Sequence, residues 1–127
     1  MATMNPEVKA KWVARLRSGQ DKQGKTYLNR NDRKCCIGVL CEIAAEEKVI
    51  ERVVSKSENT VGYRRGHGFM EILTLPDALL AWSGLEDNWG TFNRKDEVGN
   101  LSETSLTGLN DNGYTFDQIA DYIEEYF

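Results

Sequence analysis

Cys35-Cys36-Ile37-Gly38-Val39-Leu40-Cys41-Glu42 is the stretch on which the fold turns. Seven residues pass before the first charge, so a helix here has no polar face in its opening turns. Such a helix sits in the middle of a domain rather than on its surface. Polarity returns at Glu42 and at Glu46-Glu47-Lys48, and the predicted helix covers residues 35–48. Gly38 costs about 1 kcal/mol against Ala inside a helix. A glycine at that position implies that a neighbouring backbone comes close.

Working outward, Asn5-Pro6-Glu7 reads as a cap, a first-turn proline and a first-turn acid. Val8, Trp12, Val13 and Leu16 make one apolar face, and Gly19 ends a helix over 6–18. Thr26-Tyr27-Leu28 is a candidate short strand, and the Asn- and Asp-rich residues 29–34 read as a loop. Residues 49–55 and 60–65 are predicted strands around a polar turn, with a third over 69–74. Pro76-Asp77 opens a short helix that Gly84-Leu85 closes; a short strand near 91–94 and a helix over 102–110 follow. In the final helix Thr115 and Gln118 form a capping box, Tyr114 is placed to staple onto Ile119, and Phe116, Ile119, Ala120 and Ile123 make the apolar stripe. The expectation is one α+β domain over 1–127, with about five helices around a central buried helix and a small antiparallel sheet.

The chain has 127 residues, 40% hydrophobic and 28% charged, which fits an ordinary globular domain. No apolar run approaches the ~20 residues of a bilayer span. Residues 1–8 are polar, so no secretory signal is expected. The formal charge of −4 hides an asymmetry: residues 1–34 carry +6 and residues 35–127 carry −10. Either the two parts attract each other, or the basic third faces an anion. A pI near 5.1 argues against DNA. The cysteines, three in number with two adjacent, build no disulfide framework and match no zinc spacing, so they read as small buried hydrophobes in a reducing cytoplasm.

Residues 35–42, Leu75-Pro76 with Trp82-Ser83-Gly84-Leu85, and Leu109-Asn110-Asp111-Asn112-Gly113-Tyr114-Thr115-Phe116 with Ile119-Ala120-Asp121 are distinctive together. They resemble a family of small phage and prophage proteins that carry a CC-[IL]-GVLC-[DE] helix, an LP…W-x-GL helix and an LND-x-G-x-[ST]-F…IAD ending. The opening Asn5-Pro6-Glu7-Val8-Lys9-Ala10-Lys11-Trp12 is similar as well. The resemblance implies a phage protein acting in the host bacterial cytoplasm. It supplies no catalytic residue and no cofactor, and interference with a host function follows only by analogy.

Four chemistries compete for the working face. Arg64 and Arg65, with His67 between Gly66 and Gly68, suit phosphate through planar donor forks and close backbone approach. Arg30, Arg33 and Lys34 add charge before the central helix, while Tyr27, Tyr63 and Trp89 offer faces to a nucleobase. Together they predict a non-enzymatic protein that captures a nucleotide-type anion, as one site or as two halves in a homodimer. The second chemistry is a papain- or NlpC-like hydrolase with Cys36 as thiolate and His67 as base. Adjacent carboxylates such as Glu46-Glu47 and Glu124-Glu125 point apart on a helix and read as a solvated face. The fourth is docking on a host protein through the acidic last helix or the Trp89 loop.

Overall fold

Helix α1, Pro6–Arg17, forms as its cap dictates: Asn5 Oδ1 accepts from the backbone N–H of Glu7 at 3.0 Å and of Val8 at 3.4 Å. The structure is a computed structural model that describes residues 4–127; the first three residues of the polar start lie outside it. Val8, Trp12, Val13 and Leu16 face inward, and Gly19 turns the chain away at φ +73°. Trp12 is fully buried, and its indole N–H donates to the carbonyl of Cys36 at 2.9 Å. That bond ties α1 to the start of the central helix.

The central helix is α2, Cys36–Glu46, in which every residue from Cys36 to Ala44 is buried. It begins one residue later than expected because Cys35 is its cap, with the thiol sulfur accepting from Gly38 N–H at 3.4 Å. Lys48 at φ +62° reverses the chain just after its end. The expected close approach at Gly38 is present: a Cβ there would stand 1.8 Å from the carbonyl oxygen of Leu28.

Five short strands form one sheet. They are β1 Lys22–Gln23, β2 Asn29–Arg30, β3 Arg33–Lys34, β4 Glu51–Ser55 and β5 Thr60–Arg64, in the order β1-β3-β2-β5-β4. All pairings are antiparallel except β1 with β3. Residues 29–34 are therefore a hairpin and not a loop. It turns on Asn31 and Asp32, both left-handed at φ +56° and +60°, as a two-residue hairpin turn requires. Thr26, at φ +70°, breaks the strand expected over 26–28. The expected third strand over 69–74 reduces to a single bridge, in which Tyr63 and Glu71 exchange two backbone bonds of 2.9 Å.

A 3₁₀ turn at Asp77–Leu79 leads into α3, Leu80–Ser83, which Gly84 stops at φ +81°. A separate ribbon follows, β6 Thr91–Lys95 with β7 Leu101–Ser105. The helix expected over 102–110 is thus half strand. Polar Ser102-Glu103-Thr104 pairs with β6, and helix α4, Leu106–Asp111, starts only where Ser105 caps it. Helix α5, Phe116–Tyr126, has the expected capping box and buries Phe116, Ile119, Ala120 and Ile123. Tyr114 sets its ring edge-on to Tyr122, with centroids 6.0 Å apart. Among the described residues, five helices and two small sheets make an α+β fold with α2 at its centre.

Replacing Gly38 with Ala tests this packing. Helix propensity alone favours Ala, yet the new methyl collides with backbone that a rotamer change cannot move. The expected outcome in urea denaturation is a loss of about 3 kcal/mol, whereas a gain in stability refutes the contact.

Candidate anion-binding site

The three shortest strands alternate strictly, one residue inward and one outward. Inward go Gln23, Lys34 and Asn29. The Gln23 amide donates to Asn110 Oδ1 at 3.0 Å and to the Tyr114 carbonyl at 2.6 Å, and it accepts from Phe116 N–H at 3.1 Å. Lys34 Nζ meets Asp21 at 3.0 Å, and Arg15 meets the same carboxylate at 2.8 Å. Burial pushes the Asp21 carboxyl up, but the hydrogen bonds from Arg15 and Lys34 outweigh it and hold its pKa below the ordinary value.

Outward go Lys22, Arg33 and Arg30. The register pairs Lys22 with Arg33 and Arg33 with Arg30, so the three exposed cations stand side by side on one face. Neighbouring strands are about 4.8 Å apart, so the row is about 10 Å long. Like charges directly opposite one another destabilise a sheet, and none of these three is in an ion pair among the described residues.

A groove of about 330 Å³ runs beside the row, lined by Gly24, Lys25, Tyr27, Arg30, Asn31 and Arg33. The Arg30 guanidinium lies 4.4 Å from the centre of the Tyr27 ring. A Cβ on Gly24 would stand 2.7 Å from that of Arg33, so any side chain there would crowd the row. The segment is held from beneath: Asn110 Nδ2 donates to the Gly24 carbonyl at 2.7 Å, and Asp111 accepts from Thr26 N–H at 2.8 Å.

The other expected site residues lie elsewhere. Arg30 pairs with Thr60 at one end of β5, and Arg64 ends that strand four residues on, about 13 Å away at a strand's rise. Arg64 is half-buried with its Nε unpartnered, and His67 is exposed in the following turn. Arg65 lines a different cavity of about 270 Å³ that also holds Glu71 and Asp77. The single electropositive concavity expected of the two regions is therefore not formed. Tyr63 is fully buried and presents no face to a ligand. Its hydroxyl donates to Glu42 and accepts from Asn29, and burial together with the Glu42 carboxylate raises its pKa. Lys34 is turned inward onto Asp21 and does not reach the groove. Trp89 is half-exposed but lines neither cavity.

Cys35, Cys36 and Cys41 are free and buried, as expected. Burial pushes the Cys35 thiol up to about 11 and the other two well above the usual range. An attacking thiolate needs the opposite shift, and Cys36 Sγ sits against the Leu106 carbonyl at 3.5 Å. Lys22 and Lys25 escaped the sequence reading. The place of Lys22 in the row depends on the parallel pairing of β1 with β3, for which two-residue strands leave no local pattern, and Lys25 lines the groove just beyond β1.

The chain belongs to the family described as Domain of unknown function (DUF8296), whose model matches residues 4–127. No curated protein and no solved structure matches it. No helix among the described residues is long and apolar enough to cross a membrane.

Two measurements check these environments. Asp21 is worth most to the folded state above about pH 4, and its contribution fades as pH falls through the lowered folded pKa. Acid should therefore destabilise the protein, and Asp21→Asn should flatten the stability curve below that pH; an unchanged curve removes the carboxylate from the account. Thiol labelling of native protein should proceed only as fast as global unfolding for all three cysteines, and a rapid native reaction at Cys36 would restore the nucleophile reading.

Proposed function

We propose that the protein binds a small phosphate-bearing anion of nucleotide type on the Lys22–Arg33–Arg30 row, without performing chemistry on it. The observation that carries this reading is the in-register row itself, three unpaired cations that repel one another until an anion lies across them. The groove lining offers guanidinium, ammonium, phenol and amide groups, with no carboxylate, thiol or imidazole to act as nucleophile or base. Its backbone is fixed by Asn110 and Asp111, so little ordering is needed on binding. The resemblance to small phage proteins adds a setting: capture in a bacterial cytoplasm would withhold the nucleotide from a host function.

A second reading, docking on a host protein, draws on a different surface. Phe69 is 84% exposed, and Met70 and Leu73 are exposed nearby in the same segment. Apolar side chains this open on one short stretch favour a partner.

Thermal denaturation and calorimetry with ATP, ADP, AMP and adenosine separate the two readings. The expected result is stabilisation that needs phosphate and weakens with salt, since exposed charges are screened. Arg30→Gln with Arg33→Gln should abolish it while leaving the free protein as stable or slightly more so, because the repulsion is gone. Arg64→Gln with Arg65→Gln should leave it intact. No shift with any nucleotide, or a shift that survives loss of Arg30 and Arg33, overturns the proposal.

A further inference from the structure

We infer that the row reads the length and charge of a phosphate chain and leaves the base unread, an inference that rests on the anion reading above. The cations are arranged along a line. Lys22, Arg33 and Arg30 come from three consecutive strands, each one inter-strand step from the next, for a span of about 10 Å. A lone phosphate meets one or two of them, and a chain of three phosphates can meet all. Lys25, at the groove beside the row, adds a fourth positive charge.

The groups that would read a base are in part already engaged. One face of the Tyr27 ring is covered by Arg30 at 4.4 Å. Asn31 supplies the carboxamide of the groove, and its Oδ1 accepts from Asn59 Nδ2 at 3.0 Å. What remains is positive charge and fork-shaped donors, which suit phosphate oxygens and carry no preference among bases. The ligand class is therefore a terminal tri- or diphosphate, whether it belongs to a nucleotide or to an inorganic chain.

Calorimetry at low salt with inorganic phosphate, pyrophosphate, tripolyphosphate, ATP, GTP, AMP and a short oligonucleotide without terminal phosphate tests this. Affinity should rise about tenfold with each added phosphate, the order of one charge-assisted contact. ATP, GTP and tripolyphosphate should agree within about threefold, a difference well under 1.4 kcal/mol. Lys22→Gln, at the outer end of the row, should weaken tripolyphosphate about tenfold and leave phosphate unchanged. That variant's unfolding midpoint, measured alongside, confirms that it folds. If ATP binds and tripolyphosphate does not, or if AMP or the oligonucleotide binds as tightly as ATP, chain reading is wrong while anion binding stands. If nothing binds, both fall together.

Discussion

The carbonyl of Leu28 occupies the space where a side chain at position 38 would be, and the rest of the architecture follows from that contact. A helix as apolar as α2 must be covered on all sides. Residue 38 is where the covering element is backbone rather than side chain. Leu28 is itself fully buried, and its N–H donates to the Ile72 carbonyl at 2.8 Å, so the segment is pinned from both sides. Tyr27 precedes it, and Asn29 and Arg30 follow. The hairpin with the cationic row thus takes its position from this close backbone approach in the core.

Asn110 does for polar groups what Gly38 does for packing. It is fully buried, and its Oδ1 accepts both from Cys36 N–H at 3.1 Å and from Gln23, while its Nδ2 donates to Gly24. One side chain thereby satisfies an orphan donor at the start of α2 and fixes β1 and Gly24 against α4. A buried amide left without those partners would cost about 1–3 kcal/mol for each unmet group. The short strands, with few backbone bonds of their own, borrow order from this cluster. Their outward side chains are consequently presented from a rigid base.

Legibility in the sequence followed the strength of local signals. The caps at Asn5 and Thr115, the stop at Gly84, the apolar run over residues 35–41 and the glycine within it all act over a few residues, and each was read correctly. Residues 29–34 misled because polar turn formers flank a two-residue hairpin as readily as they fill a loop. Residues 102–105 misled because their strand is made by pairing with β6 and not by alternation of their own. The site was half legible. Arg30 and Arg33 are expected only as a second anchor beside Lys34, with the phosphate clamp on the mid-chain Arg64-Arg65 pair and stacking on Tyr63 or Trp89, because no local register separates the two basic stretches. Tyr63 shows the limit well: an aromatic beside arginines reads as a stacking face until a buried carboxylate, Glu42, is found holding its hydroxyl.

The charge asymmetry resolves along the same line. Four basic residues of the first 34 are engaged by acids: Arg17 by Asp121 and Glu124, Lys11 by Glu47, Arg15 by Asp21 and Glu46, and Lys34 by Asp21. Attraction between the two parts of the chain therefore accounts for the outer face of α1, while the inward Lys34 of the hairpin is neutralised within the basic part itself, by Asp21. The exposed pairs made by Lys11 and Arg17 contribute little stability, so folding did not require every cation to find one. Of the five with no acid partner among the described residues, Lys9, Lys22, Lys25, Arg30 and Arg33, three are set in register, Lys22, Arg33 and Arg30, where mutual repulsion is greatest. A surface needing only solubility gains nothing from alignment, and mixing the signs across these strands would serve it better. Alignment without neutralisation is disfavoured in the free protein and favoured once an anion lies across it.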